Sequence, residues 1–220
     1  MKQYEIDKLN RVKRGANRAT YDIETINKII DAGFLGYVGY IYDGYPISIP
    51  MAYARKEDKI YLHGSTGNRM LQAILEAEKT SITIMHLDAL VLARSGLHHS
   101  VNYRSVTLFG KVSKIEDDTK KTAILEQIIN NMVPNRWDSL RPMHQKELDR
   151  TLVVEFTIET ASAKIRDEGV NDEPKDYDLP IWAGIVPIKQ IAEFPISDEK
   201  LEKGIEIPEH VLNYYHNNKQ

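Results

Sequence analysis

A two-residue turn signal, Asp43-Gly44, constrains the fold of this chain more than any other feature. It lies between two runs of strand-forming residues, 35–42 and 45–53. Asp-Gly favours the positive φ angles of the tight turns that join antiparallel strands. The first half of the chain therefore predicts antiparallel pairing, which is not the pattern of a doubly wound parallel sheet.

The strand after this turn has two unlike faces. Its apolar side chains alternate with the small residues Pro46, Ser48 and Pro50. Because proline has no N–H to donate, it is found at sheet edges or where the ladder is interrupted. We therefore expect this strand to leave its backbone open along one edge.

The rest of the chain continues the same pattern. Further strands are predicted over 59–63, 80–86, 89–94, 101–115, 151–158 and 183–191. Helices are predicted from Asp22, as N-cap, to 33, over 68–77, from a cap at Asp117 or Asp118 to 132, and from about 142. Many strands with few helices predict an antiparallel barrel decorated by helices. We expect one domain over 21–208, an N-terminal arm (1–20) that crosses a partner subunit or solvent, and a C-terminal tail (209–220).

The composition excludes several kinds of chemistry. The chain contains no cysteine, which removes disulfides, thiolate metal sites and a cysteine nucleophile. Its net charge of -3 argues against a general nucleic-acid binder. No apolar run is long enough to span a bilayer and no signal peptide is visible, so we expect a cytoplasmic protein.

One helix start has the features of a phosphate site. In the stretch IYLHGSTGNRMLQAI (60–74), a strand ends at Gly64, hydroxyl and amide residues follow, and a helix begins with Arg69 in its first turn. Unpaired N–H groups and the positive end of the helix dipole attract an anion, and the guanidinium adds a full charge. Ser, Thr and Asn are also ordinary N-cap residues, so the stretch alone does not separate a ligand site from a structural cap.

Several phrases together resemble a known family. A proline-containing strand, the helix start above and a long strand with RSVTLFGK follow the order of the pyridoxamine 5′-phosphate oxidase-like FMN-binding split barrels. The phrases GYVGYIYDGYPISIPMAY, YLHGSTGNRM and PIWAGIVP are similar to its flavin-nucleotide-binding branch, which includes nitroimidazole-resistance proteins. The resemblance covers 11–208. It implies a mainly β split barrel with helices that forms a homodimer, with composite flavin sites at the interface.

The resemblance also implies cofactor, activity and site residues. The cofactor is FMN rather than FAD, and the activity is that of a flavin-dependent oxidoreductase with a small acceptor, such as a nitroaromatic compound, as substrate. Arg69 would hold the phosphate with Ser65 and Asn68, and the ring would lie against the backbone of Ser48, Ile49, Pro50 and Met51. The other implied contacts are His63, Gly64, Arg104, Ser105 and, near the partner's flavin, Trp182. Met70 replaces a lysine of the oxidases, and the missing charge would come from Arg104 or Lys164.

Other readings of the polar residues remain open. One alternative is a haem-binding or haem-degrading protein on the same barrel, with an axial ligand among His98, His99, His210 and His216. Another is a non-catalytic flavin carrier or sensor. The basic residues Arg94 and Arg166 either pair with the acidic loop 166–178 or hold an anion. We expect no metal site, because the histidines and acids lack ligand spacing, and we assign no catalytic residue.

Overall fold

The computed structural model describes residues 2–219. Its strands are β1 (Ala19–Thr20), β2 (Leu35–Tyr42), β3 (Tyr45–Lys56), β4 (Lys59–Ser65), β5 (Lys79–Leu92), β6 (Ser100–Lys114), β7 (Thr151–Arg166) and β8 (Gly184–Pro187). Its α-helices are α1 (Ile23–Asp31), α2 (Arg69–Glu76), α3 (Asp118–Met132), α4 (Gln145–Arg150) and α5 (Glu209–Asn218). Within this part of the chain, no helix is both long and apolar enough to cross a bilayer.

The strands form one antiparallel sheet that closes into a split barrel. The order is β1-β7-β4-β3-β2-β5-β6, with β8 paired to β5, and a further pairing of β6 with β7 closes the barrel. The contact between β2 and β5 is confined to the register pairs Tyr37–Thr83 and Val38–Ile82. The barrel is therefore split beside this contact, and the predicted mainly β architecture with helices is confirmed.

The local signals in the sequence act as expected. Asp43 and Gly44 have φ angles of 50° and 75°, and Tyr42 is the register partner of Tyr45 across the tight turn. The Asp22 side chain caps α1 by accepting the N–H of Thr25 at 2.9 Å. The Asp117 side chain likewise caps α3. These features depend on neighbours in sequence, which explains why they could be predicted.

Two apolar clusters hold the helices on the barrel. Ile26 and Ile30 of α1 are fully buried against the barrel interior. On the outer face, Ile128 of α3 packs with Tyr61 and Val153 in the second cluster. The barrel interior is thereby covered at one end by α1, while α3 covers an outer face of β3, β4 and β7.

Two predicted strand boundaries are wrong. The segments 80–86 and 89–94 belong to one strand, β5, in which a bulge falls between Leu87 and Ala89. The polar residue at the bulge, Asp88, interrupts the apolar pattern without ending the strand. The strand predicted to end at 158 continues to Arg166, because buried small residues of β7 still pair with β6.

Both ends of the chain contain structure that the sequence did not predict. Asn10 is buried, and its side-chain amide donates to Thr160 Oγ1 at 2.6 Å and to the carbonyl of Ala161. The N-terminal segment is thus anchored on its own barrel at Asn10, while most of its other side chains within residues 2–18 are exposed. At the other end, β8 is shorter than predicted, and α5 forms where only a tail was expected.

We predict that Gly110→Ala strongly destabilises the protein. A Cβ at this position of β6 would lie 1.9 Å from the carbonyl oxygen of Thr157, which is backbone and cannot swing away. We expect a loss of about 3 kcal/mol in the free energy of unfolding, measured by chemical denaturation. Gly96→Ala is the matched control, because its Cβ would meet open space. Equal stability of the two variants would contradict the prediction.

Candidate functional site

The start of α2 presents backbone donors at the end of β4. The Asn68 side chain caps the helix by accepting the N–H of Leu71 at 3.0 Å. A helix start leaves the N–H groups of Arg69 and Met70 without an intrahelical acceptor. Asn68 therefore acts as a structural N-cap, one of the two roles that the sequence allowed. The N–H groups of Arg69 and Met70 remain beside it for a ligand.

Arg69 is the charged group at this helix start. Its guanidinium lies 4.2 Å from the centroid of the Tyr42 ring and donates to the Tyr40 hydroxyl at 3.3 Å. The side chain is exposed, and no carboxylate within residues 2–219 pairs with it. The two tyrosines of β2 hold the cation in place without neutralising it, so it can bind an anion.

Three neighbouring residues that the sequence predicted as contacts, Gly64, Ser65 and Met70, have different surroundings. The Met70 side chain is 3% exposed in the core, so only its N–H can reach a ligand. Gly64 permits close packing, since a Cβ there would lie 3.0 Å from Leu71 Cδ1. Ser65, exposed at the end of β4, is the register partner of Thr151.

His63 lies half-buried at the end of β4. Its Nδ1 is enclosed and has no hydrogen-bond partner in the described part of the chain. Burial lowers the pKa of the imidazole. His63 is therefore neutral at physiological pH, and its ring can serve as a polar contact without adding charge.

The predicted open edge is present on β3. Over 45–52 this strand pairs with β2, and its pairing with β4 begins only at Tyr53. Because Pro46 and Pro50 lack an N–H, they fit positions whose N–H would point away from β2. The exposed backbone of Ser48 then faces the open edge with both a donor and an acceptor. Ile47 and Met51 pack against the core, but Ile49, expected there too, is 36% exposed.

The remaining predicted residues do not join this group within one chain. Arg104 makes a two-pronged ion pair with Asp88 at 2.7 to 3.2 Å. The Ser105 hydroxyl donates to the Lys164 carbonyl at 3.4 Å, and Lys164 Nζ donates to the Arg14 carbonyl at 3.3 Å. Along β7, Lys164 lies roughly 40 Å from Thr151, the register partner of Ser65.

The last predicted residue, Trp182, is 68% exposed and precedes β8. A Cβ on Gly184 would lie 2.9 Å from the Trp182 ring, so this glycine lets the indole fold back against the chain. Trp182 thus offers a large aromatic surface outside the Arg69 group. The structure brings Ser48–Met51 and residues 63–70 to one surface region around β2, β3 and β4. Within one chain, Arg104, Ser105, Lys164 and Trp182 lie outside that region.

The other basic residues bind the acidic loop. The buried carboxylate of Asp172 accepts the N–H of Arg94 and pairs with its guanidinium at 3.1 Å. The buried Arg166 donates to Asn102 and to the carbonyl of Glu168. Of the two roles predicted for these arginines, pairing with the acidic loop is the one that the structure shows.

The four histidines proposed as haem ligands have different surroundings. The Nε2 of His98 is 3.6 Å from Glu173, and the exposed His99 has Nδ1 2.9 Å from the Ser95 carbonyl. His210 on α5 has an enclosed Nε2 without a hydrogen-bond partner in residues 2–219. His216 is exposed beside the Tyr215 ring. No hydrogen bond within residues 2–219 links two of these histidines.

A fifth histidine, His86, lines a cavity of about 640 Å³ that the sequence did not predict. The cavity is bounded by the end of α1, the start of β2, β5, the end of α3 and the C-terminal segment. In the sequence His86 stood beside Asp88 with too few ligands for a metal site. The signal in the sequence was the alternation of His86 with Ile82 and Ile84, which places its imidazole on the core-facing side of the strand.

Comparison with known proteins supports the sequence resemblance. The family model for pyridoxamine 5′-phosphate oxidase matches residues 22–165. The structure of flavocytochrome Anf3 from Azotobacter vinelandii superposes with a TM-score of 0.89 at 35% identity, over 94% of this chain and 97% of that chain. A search of the curated proteins found no match.

Two further structures differ in how much of this chain they match. The FAD and heme binding protein from Mycobacterium smegmatis has a TM-score of 0.85 at 30% identity, over 90% of this chain and 97% of that chain. A protein described as a 5-nitroimidazole antibiotic resistance protein from Bacteroides thetaiotaomicron has a TM-score of 0.58 at 21% identity, over 67% and 86%. That last likeness concerns the fold alone. The near-complete coverage of the first two includes most of the segment after β7.

We predict that His63 makes stability depend on pH. Because burial lowers its pKa from the ordinary 6.5, the unfolded chain binds a proton at higher pH than the folded chain does. This contribution to stability is complete above the ordinary pKa and is lost as the pH falls toward the folded pKa. Thermal unfolding from about pH 7.5 to about pH 5 should therefore show a smaller drop in Tm for His63→Gln than for the unchanged protein. The exposed His216 supplies the control, His216→Gln; parallel curves for all three proteins would refute the assignment.

Proposed function

Since the chain belongs to the pyridoxamine 5′-phosphate oxidase family, we propose that it is a flavin-binding oxidoreductase that also binds haem. The observation that carries this proposal is the similarity over almost the whole chain to a flavocytochrome and to an FAD and heme binding protein. Both matches are at 30% identity or more and extend past the barrel into the C-terminal segment.

The start of α2 is the proposed binding site for the flavin phosphate. Arg69 supplies the charge, and the N–H groups of Arg69 and Met70 supply neutral donors. The unpaired state of the guanidinium within residues 2–219 is what fits it for this role. This group matches a single phosphate, as in FMN, whereas the M. smegmatis relative is named for FAD.

The open edge of β3 is the proposed contact for the flavin ring. The N–H and carbonyl of Ser48 and the carbonyls of the flanking prolines can pair with a ring edge that carries both donors and acceptors. The neutral His63 adds a polar contact from the neighbouring strand. When bound, a flavin supplies the hydride or electron transfer itself, so the protein needs no general acid or base for that step.

Haem is the proposed electron acceptor in place of the nitroaromatic compound expected from the sequence. The likeness to the nitroimidazole-resistance protein is at 21% identity and carries no argument about activity. If bound, haem would supply one-electron chemistry beside the flavin. The support for haem is the similarity to the two relatives named for it, which extends over almost the whole chain.

We also propose that the protein acts as a homodimer. Large apolar side chains are exposed on neighbouring strands of one sheet face: Leu35, Tyr37 and Ile41 of β2, and Met85 and Leu87 of β5. An exposed apolar patch of this kind marks an interaction surface. In such a dimer, Trp182 of one subunit would lie near the flavin of the other, as the family resemblance implies.

The absorbance spectrum of the purified protein tests the proposed function. We expect flavin bands together with a Soret band, and chromatography of the released cofactors identifies FMN or FAD. Reduction of the flavin by NAD(P)H or dithionite under anaerobic conditions should be followed by reduction of the haem. A protein that binds neither cofactor on addition would refute the proposal.

The Arg69 assignment predicts a specific loss of flavin binding. Arg69→Ala should raise the Kd for the flavin about ten-fold or more, because a charge-assisted phosphate contact is removed. Arg11→Ala serves as the control, since Arg11 is also an exposed arginine. Titration of the apoprotein, followed by flavin fluorescence, measures both values. Equal affinity of the two variants would place the phosphate elsewhere.

The dimer assignment predicts that a charge on the apolar face separates the subunits. Leu87→Glu should shift the sedimentation coefficient toward that of a monomer and lower the flavin content, because the buried charge would have no partner. Leu140→Glu is matched, since both leucines are 39% exposed and Leu140 lies on another part of the surface. A dimer that survives Leu87→Glu intact would exclude this face as the interface.

A further inference from the structure

Two tyrosines stand next to Arg69 at the turn between β2 and β3. Tyr42 and Tyr45 are register partners across Asp43-Gly44, so their side chains lie on the same face of the hairpin. The Arg69 guanidinium lies 4.2 Å from the centroid of the Tyr42 ring. The turn therefore places a pair of aromatic side chains directly beside the proposed phosphate site.

The Tyr45 ring is free to receive a ligand. Tyr45 is 70% exposed, and within residues 2–219 its ring makes no aromatic or cation–π contact. A Cβ on the neighbouring Gly44 would meet no atom within 4 Å, so the space around the turn is open. A planar group can therefore stack on this ring without displacing an aromatic or cationic side chain of the described chain.

The tyrosine pair is separate from the proposed subunit interface. Side chains alternate between the two faces of a strand, and Tyr42 lies on the same face of β2 as Tyr40, which is buried in the barrel core. The interface residues of β2, Leu35, Tyr37 and Ile41, lie on the opposite face. A ligand on the two tyrosines would not occupy that opposite face.

The order of these groups along β3 matches the order of the parts of a flavin nucleotide. The proposed ring contact is the backbone of Ser48, and Tyr45 lies three residues earlier, roughly 10 Å along the strand. Arg69 lies over Tyr42, the register partner of Tyr45. A flavin with its ring at Ser48 and a phosphate at Arg69 would continue past that phosphate onto the tyrosines.

The charge at the start of α2 suits the inner phosphate of a dinucleotide. Within residues 63–70, Arg69 is the one arginine or lysine, because Met70 stands where the oxidases have a lysine. A phosphate monoester, as in FMN, carries about 1.5 to 2 negative charges at pH 7, more than one guanidinium supplies. Each bridging phosphate of a dinucleotide carries a single negative charge, which Arg69 can neutralise.

The turn offers suitable groups to the outer half of such a dinucleotide. The outer phosphate would lie over the exposed hairpin, where water solvates it. Asp43 makes no ion pair within residues 2–219, and a carboxylate can accept hydrogen bonds from ribose hydroxyls. The Tyr45 ring supplies the flat aromatic surface on which a nucleobase stacks.

We propose that Tyr45, with Tyr42 beside it, is a stacking platform for the adenine of FAD, and that this platform makes the protein prefer FAD over FMN. The proposal rests on the proposed function, because it needs the flavin phosphate at Arg69. It deepens that function by naming the cofactor and the residue that selects it. FMN, the cofactor expected from the sequence, would leave the platform empty.

Titration of the apoprotein with FAD and with FMN, each followed by calorimetry, tests the platform. We expect the unchanged protein to bind FAD about ten-fold or more tightly than FMN, because the stacked base adds to the affinity. Tyr45→Ala should remove this advantage and leave the Kd for FMN unchanged. Tyr45→Phe should retain it, because the aromatic ring is kept.

Tyr177→Ala is the matched control variant. Tyr177 is also an exposed tyrosine, at 48%, and an arginine, Arg94, likewise lies over its ring, at 5.1 Å from the centroid. Because Tyr177 lies on the acidic loop and not at the turn, its loss should leave both Kd values unchanged. FMN binding is the internal control for folding in every variant, since FMN uses Arg69 but not the platform.

The outcomes separate this proposal from the proposed function. If the unchanged protein binds neither flavin, both are wrong. If it binds FMN as tightly as FAD, or if Tyr45→Ala keeps the preference for FAD, only the platform is wrong and the flavin site stands. If Tyr45→Ala raises the KM for NAD(P)H and leaves the affinity for FAD unchanged, the ring serves the adenine of the reductant, and the proposal is overturned.

Discussion

The two-residue contact between β2 and β5 is the constraint on which the rest of this structure depends. If these strands paired along their whole length, side chains and backbone would fill the space that α1, β5 and the C-terminal segment now surround. Because pairing ends at Tyr37–Thr83, β5 is left to pair with β8 further on. The same interruption attaches the C-terminal segment and opens the cavity beside His86.

Ion pairing distinguishes the cations that hold the fold from the cation proposed to hold a ligand. Arg55, Arg94 and Arg104 each pair with an aspartate. Breaking a partly buried pair leaves an uncompensated charge, so these arginines are poorly suited to release their partners for a ligand. Arg69 lies instead over the Tyr42 ring and donates to the Tyr40 hydroxyl, and an anion can bind to it without disrupting any ion pair in the described chain.

The proposed flavin site and the cavity beside His86 use different parts of one sheet. The flavin would lie along the exposed edge of β3 and the start of α2, where donors and one full charge are available. The cavity lies in the split, where polar and apolar side chains line it and the His86 imidazole is held by the Ile29 carbonyl.

The sequence by itself determined the hairpin at Asp43-Gly44, the caps Asp22, Asn68 and Asp117, the antiparallel mainly β architecture and the unusual helix start at Arg69. All of these depend on residues a few positions apart, or on motifs that keep their order along the chain. Only the tertiary structure decided that β5 continues through Asp88, that Asn10 is buried on β7 and that Arg104 is taken by an aspartate. It also decided that His86 lines a cavity. Each of these is a contact between residues distant in the chain, and the strand pairing that creates it is not encoded in any local pattern.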